Sequence, residues 1–169
     1  MERSFLRREK RFKMRDFIKF MLLNTGTWVL WFFIVGYLVT KIKDKFLEKD
    51  YLFTSLFGFE KDGTWFKKYL KIDKWKDRVP ELGGYFGDGF EKRTVADAQS
   101  DQIKLFIRET RRAEIAHWVM TAGWIFTTAF NPLWAIVFNL VFAHVVNFPC
   151  LIIQRYNRAR LIKVLNYKS

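Results

Sequence analysis

Residues 113–155 read AEIAHWVMTAGWIFTTAFNPLWAIVFNLVFAHVVNFPCLIIQR, and between His117 and Arg155 only His144 can acquire a charge. Two apolar stretches, 115–130 and 133–153, are separated by Asn131-Pro132 alone, a dipeptide that marks a turn. So short a gap permits only a helical hairpin. The spacing predicts two antiparallel membrane helices whose outer ends return to one side. That puts Arg111, Arg112, Glu114 and His117 beside Gln154, Arg155, Tyr156, Asn157, Arg158 and Arg160.

Residues 108–117, RETRRAEIAH, run unbroken into the first apolar stretch. Steps of three and four put Thr110, Glu114, His117, Thr121 and Thr128 on one helix face. On the second helix His144, Asn147, Leu151, Gln154 and Arg158 follow the same spacing, and Pro149 would leave the Val145 carbonyl without its helical partner. Ionisable groups at membrane depth are costly and line an interior or a wet cavity. The two stripes are therefore expected to face each other in a cleft opening at a basic rim. A plainer alternative stays open: Glu114 pairs Arg111, and His144 and Asn147 bond across the helices as packing glue.

Outward from the hairpin, the 169-residue chain is long enough for one unit. It is half hydrophobic, 28% charged and carries a net charge of +13. The basic residues flank apolar runs, where headgroups and the positive-inside rule place them, so nucleic acid is not an expected partner. The single cysteine, Cys150, excludes an internal disulfide and argues against structural zinc.

Residues 1–19 form a basic arm with Phe5, Leu6, Phe12 and Phe17 interleaved, either an amphipathic helix on anionic lipid or a disordered tail. Residues 20–40 carry no charge and are long enough for a membrane segment. They are too long and aromatic for a signal peptide and lack a small-residue cleavage site. Residues 41–112 are the polar part, with a helix end at Lys41–Lys49, a short apolar run at Tyr51–Phe59, a glycine-rich loop at Leu82–Phe90, and helical character again from Ala96 to Ile107. That loop lacks the spacing of a phosphate cradle.

The expected architecture is an all-α integral membrane protein, one domain over 1–169. It comprises a helical hairpin of two spans at 113–155, an N-terminal membrane segment, an interfacial helical and loop cap at 41–112, and a basic C-terminal tail at 156–169. It is expected to be multi-pass in the cell membrane, with the site at the cytoplasmic interface. Charge leaves one conflict. If residues 20–40 cross, the basic arm and the cap lie on opposite sides; if they re-enter, helped by Gly26 and Gly36, both stay cytoplasmic. The charges favour re-entry.

A histidine beside a carboxylate is the usual general-base pair, so His117 is the candidate base and Glu114 its orienting partner. No serine or cysteine has a recognisable nucleophile setting, which points to direct deprotonation of an incoming hydroxyl. Arg155, Arg158 and Arg160, with Arg112 on the same rim, have the forks that hold phosphates. Asn147, Gln154 and Asn157 would position a carbonyl or acceptor, and Asp77, Arg78, Lys92 and Arg93 would contribute from the cap. A metal held by Glu114, His117, His144 and Asp77 or Asp88 is a rival, but a lone ExxH is a weak signal; no metal and no cofactor are expected.

Glu109-Thr-Arg-Arg-Ala-Glu114-Ile-Ala-His117-Trp118, together with Asn147-Phe-Pro149 and Gln154-Arg-Tyr-Asn157-Arg158-Ala-Arg160, resembles the glycosyl-4,4'-diaponeurosporenoate acyltransferases. These are small bacterial membrane enzymes of carotenoid glycolipid biosynthesis. A looser third block runs from Lys74 to Gly83 and from Gly89 to Arg93, and the resemblance covers about residues 50–165. It implies transfer of a fatty acyl group from acyl-CoA, as co-substrate, to a hydroxyl of a membrane-embedded glycolipid. Expected partners are then membrane lipids, acyl-CoA and a lipid-linked acceptor, with the oligomeric state open. The alternative is a non-enzymatic lipid-binding or assembly subunit, which would need no His117/Glu114 pair.

Overall fold

In the computed structural model, residues 2–51, 53–79 and 100–168 are described, with their side chains described between residues 15 and 167. The longest elements are α1 (Glu2–Thr40), α4 (Ser100–Thr121) and α6 (Leu133–Lys168). Between them lie α2 (Asp44–Leu47), α3 (Thr64–Leu70) and α5 (Trp124–Thr127), with 3-10 turns at Gly58–Glu60, Ile72–Lys74 and Lys76–Arg78. Among the described residues there is no strand.

The turn at Asn131-Pro132 folds α6 back along α4, and this seam is the main packing contact of the molecule. On α4 the inward residues are Ile103, Ile107, Thr110, Glu114 and Thr121, close to a 3.5-residue repeat. On α6 every fourth residue is buried: Ala135, Asn139, Ala143, Asn147, Leu151, Arg155 and Ala159. Four residues turn about 40° past one helical turn, so this stripe winds slowly around α6. Near the turn it meets α1, in the middle α4, and further on the cap. Alanines on it let backbones approach closely, and the asparagines supply hydrogen bonds, the pattern of helices packed without a hydrophobic drive.

α1 runs parallel to α6 and antiparallel to α4. Phe20 lies against Trp134, Trp28 against Phe142, and at its far end the Val39 carbonyl accepts from Arg112. Asn24 is the hub of the contact. It exchanges hydrogen bonds with Asn131 at 2.7 and 3.1 Å and accepts one from Asn139 at 3.0 Å. The Trp28 indole N–H completes the network on Asn139 Oδ1 at 2.7 Å.

Two sequence expectations change here. Residues 20–40 do not fold back on themselves: α1 is one helix of 39 residues through Gly26 and Gly36, and hydrogen bonds from Asn24, Trp28 and Trp31 hold it along α4 and α6. The basic arm and the cap are therefore at opposite ends. The stretch 115–130 is not a continuous helix either; it breaks at Ala122-Gly123 and again after Thr127. Among the described residues, the two helices long and apolar enough to cross a membrane are Arg15–Thr40 and Leu133–Tyr167.

The glycine at the break has a packing reason. A Cβ on Gly123 would lie 2.4 Å from Cδ1 of Trp31, 2.7 Å from its Nε1 and 2.9 Å from Cζ3 of Trp28. Gly123→Ala is expected to lower stability by about 1–3 kcal/mol, the usual cost of overpacking, as read by thermal unfolding in detergent. An unchanged midpoint would show that α1 does not dock at this position.

At the other end α6 continues as packed helix where a tail was expected. Ile153 and Tyr156 join Phe66 and Ile72 in one core, and Leu161 joins Ile103 and Ile107 in another. The Tyr156 hydroxyl donates to Asp73 at 3.0 Å. Gly63, at φ 75°, sits against the Tyr156 ring and the Arg160 stem, in a left-handed conformation that favours glycine. The glycine-rich loop, and residues 96–99 of the expected helix, lie outside the described residues.

Candidate active site

His117 and Asn147 meet across the α4–α6 seam, Nδ1 and Oδ1 being 2.9 Å apart. The amide is oriented from its other end, where Nδ2 donates to the Ala143 carbonyl at 2.9 Å. Oδ1 can only accept, so His117 Nδ1 carries the proton and Nε2 is the lone-pair nitrogen of the neutral ring. A short polar side chain has thus fixed a tautomer, the task that the sequence assigned to Glu114. Thr121 Oγ1 donates to the His117 carbonyl at 2.7 Å. Trp118 and Phe148, both partly exposed and 6.2 Å apart at their ring centres, border the pair.

Glu114 is fully buried and serves a different purpose. Arg155 Nη1 donates to its Oε1 at 2.7 Å, and Arg158 Nη1 stands 2.6 Å from Oε2, an ion pair without hydrogen-bond directionality. Arg155 also donates from Nε to Glu60 Oε1 at 3.0 Å and from Nη2 to Glu60 Oε2. Its remaining N–H groups reach the Phe53 and Ser55 carbonyls. All five donors of Arg155 are engaged. Arg158 Nη2 donates to the Thr54 carbonyl. Two carboxylates and two guanidiniums form a neutral quartet, and it clasps residues 53–60 onto α4 and α6. Burying such a set is costly unless every charge is met, and here the two signs balance.

The expected phosphate fork therefore does not stand open. Arg155 and Arg158 are buried in the quartet, and Arg112 donates to the Val39 and Ile42 carbonyls at 2.8 and 2.9 Å, closing the end of α1. Arg111 does the same for α2 through the Leu47 carbonyl and pairs with Asp50 at 2.7 Å. Of the expected arginines, Arg160 keeps an exposed head, stacked on Tyr156. Gln154 and Asn157 are half-buried on α6, without a hydrogen bond to His117 or Asn147 among the described residues.

His144 falls off the buried stripe; its Nδ1 donates to the Leu140 carbonyl and its ring stacks on Phe148. Thr128 is exposed, and Thr127 takes the inward position. Asp77 is exposed and pairs with Lys76; Arg78 is exposed beside it; Lys92, Arg93 and Asp88 lie outside the described residues. The rival metal set does not gather among the described residues, since Glu114 and Asp77 are ion-paired elsewhere.

Sequence reasoning missed Glu60, Asn24 and Asn139. Glu60 had one signal: it is the carboxylate that ends the apolar run Tyr51–Phe59. Asn24 and Asn139 stood as lone amides inside apolar helices, where a polar group needs a partner.

These features define a small all-helical protein built on two apolar helices of membrane-crossing length, with its polar chemistry in one helix seam. The sequence profile of the glycosyl-4,4'-diaponeurosporenoate acyltransferases matches residues 45–167, and the chain belongs to that family. It is 30% identical over 152 residues to the glycosyl-4,4'-diaponeurosporenoate acyltransferases of Staphylococcus aureus strains USA300 and N315, covering 90% of this chain and 92% of each relative. No solved structure matches it.

Proposed function

We propose that this protein is a membrane-embedded O-acyltransferase that moves a fatty acyl group from acyl-CoA to a hydroxyl of a lipid-linked, glycosylated acceptor of the carotenoid kind its relatives are named for. The observation that carries this reading is the His117–Asn147 pair, which leaves Nε2 as a basic nitrogen in a helix seam bordered by exposed aromatic side chains. A scaffold has no use for a fixed tautomer there. Nε2 takes the proton of the acceptor hydroxyl as its oxygen attacks the thioester carbonyl. The C–O bond forms, the C–S bond breaks, and the proton passes to the departing thiolate. Asn147 holds the ring and stabilises the transient imidazolium through its carbonyl dipole.

Along α6, Asn147 is eight residues from Arg155, about 12 Å at 1.5 Å per residue. The base thus lies a short way inside the membrane from the cap end, where a lipid-linked sugar can enter from the side. The cap end faces the cytoplasm in this reading, because CoA is found there. The test is to incubate the purified protein in vesicles with acyl-CoA and a glycosylated carotenoid acid. The expected result is an acceptor heavier by one acyl group with an equal amount of free thiol. Absence of both products from folded protein supplied with matched substrates favours the lipid-binding subunit.

Donor phosphates would reach the exposed Arg160 rather than Arg155 or Arg158. Arg160→Ala is expected to raise KM for acyl-CoA several-fold and leave KM for acyl-pantetheine unchanged. Arg160→Lys should recover only part, since a point charge does not replace the fork. An equal effect on both donors would remove Arg160 from phosphate binding.

A further inference from the structure

The cap carries an aromatic surface that neither the core nor the proposed chemistry uses. Phe53, Phe57, Phe59 and Tyr69 are 69, 62, 53 and 62% exposed. The last three are joined through Trp65: Phe57 stacks on Phe59 with centres 5.6 Å apart, Phe59 meets Trp65 at 5.0 Å, and Trp65 meets Tyr69 at 5.9 Å. A continuous apolar patch of this kind marks an interaction site. Lys68 and Lys71, flanking Tyr69 in the chain, are exposed, and the Lys68 ammonium lies over the Tyr69 ring.

The ladder is held at a fixed height on α6. Arg155 sits over the Phe57 ring at 5.3 Å and binds the backbone of Phe53 and Ser55, while Phe66 packs on Tyr156. Arg155 is 22 residues beyond Leu133, about 33 Å along the helix. That is close to the roughly 30 Å of a bilayer's hydrocarbon core. With Leu133 at one edge of the core, the ladder falls at the opposite headgroup layer, where Trp and Tyr belts sit and lysines meet anionic lipid.

We infer that the Phe57–Phe59–Trp65–Tyr69 ladder is a docking surface for the headgroup layer of an anionic bilayer, pressing the cap onto the leaflet beside the mouth of the site. The inference rests on the reading that α1 and α6 cross a membrane, and the experiment separates the two. In the full chain with Cys150→Ser, nitroxide labels are placed singly by Phe59→Cys, Tyr69→Cys, Phe138→Cys and Lys104→Cys. The protein is reconstituted in phosphatidylcholine vesicles with and without phosphatidylglycerol. Accessibility to oxygen and to a water-soluble nickel chelate reports depth.

Phe138 is expected to read deep and Lys104 aqueous. Positions 59 and 69 should show nickel accessibility several-fold below that of Lys104 and oxygen accessibility above it, both more so with phosphatidylglycerol. Lys68→Gln with Lys71→Gln should remove the phosphatidylglycerol effect. Labels at 59 and 69 that match Lys104 while Phe138 reads deep overturn the docking surface alone. Labels at 59 and 69 that exclude both reagents mean that protein, such as a second copy, covers the ladder, which also overturns it. An aqueous Phe138 overturns the membrane-crossing reading and this one together.

Discussion

Glu114→Gln is expected to lower stability by about 3–5 kcal/mol, because it removes one partner of a buried charge set and leaves Arg158 without its counter-charge. Arg158 is fully buried and donates a hydrogen bond to the Thr54 carbonyl, so it is closed off from bulk water that would otherwise replace the carboxylate. Arg155 keeps Glu60 and suffers less. The measurement is thermal or denaturant unfolding of purified protein in detergent, alongside yield. Replacing both partners at once, Glu114→Leu with Arg158→Met, should be milder than Glu114→Gln alone, since no charge is then stranded. If Glu114→Gln unfolds like the parent and loses only turnover, Glu114 is an orienting residue after all, as its spacing to His117 implied.

The second large effect is kinetic and is expected to leave the fold intact. His117→Ala should reduce kcat by about 100-fold or more, the usual weight of a general base, with the protein still folded and its unfolding midpoint lowered by less than in Glu114→Gln. His117 bonds only sideways to Asn147 and carries none of the quartet, so its loss strands no charge. Asn147→Leu keeps much of the volume but deletes the acceptor that fixes the tautomer. It should lower kcat with little change in KM for acyl-CoA. Substantial turnover in folded His117→Ala would take the base role away from this ring.

Together these two predictions reverse an assignment that the sequence made attractive. Glu114 and His117 are three residues apart on one face, which is ordinarily enough for a hydrogen bond or an oriented pair. In the folded chain both point into the seam, yet each takes a partner from α6 rather than the other. A carboxylate buried between two guanidiniums gains more than it would from a neutral imidazole. The imidazole is then left to an amide.

The helical content, the reversal at Asn131-Pro132 and the inward face of α4 from Thr110 to Thr121 were legible in the sequence, whereas the break that divides 115–130 was not. A turn dipeptide between apolar runs and a repeat near 3.5 are local signals, written within a few residues of where they act. The α6 stripe was half legible. Asn147 and Leu151 were identified, but a step of exactly four residues drifts around the helix, and following the 3.6 period instead drew in His144 and Gln154. What the sequence could not say was where that drift leads.

Tertiary structure alone decided the pairings. Asn24 reaches Asn131 across 107 residues and Arg155 reaches Glu60 across 95. A charge in the sequence has many prospective partners, and only packing brings one within 3 Å. The straight course of residues 20–40 was decided in the same way. Counting charges favoured bending that segment back, but Asn24 and Trp28 find their hydrogen bonds only if α1 runs straight along α6. Local periodicity determined which helices form and which faces are polar. Which arginines are enclosed, and which nitrogen of His117 is left basic, followed from the contacts between those helices, because a buried polar group must be met by whatever the fold brings beside it.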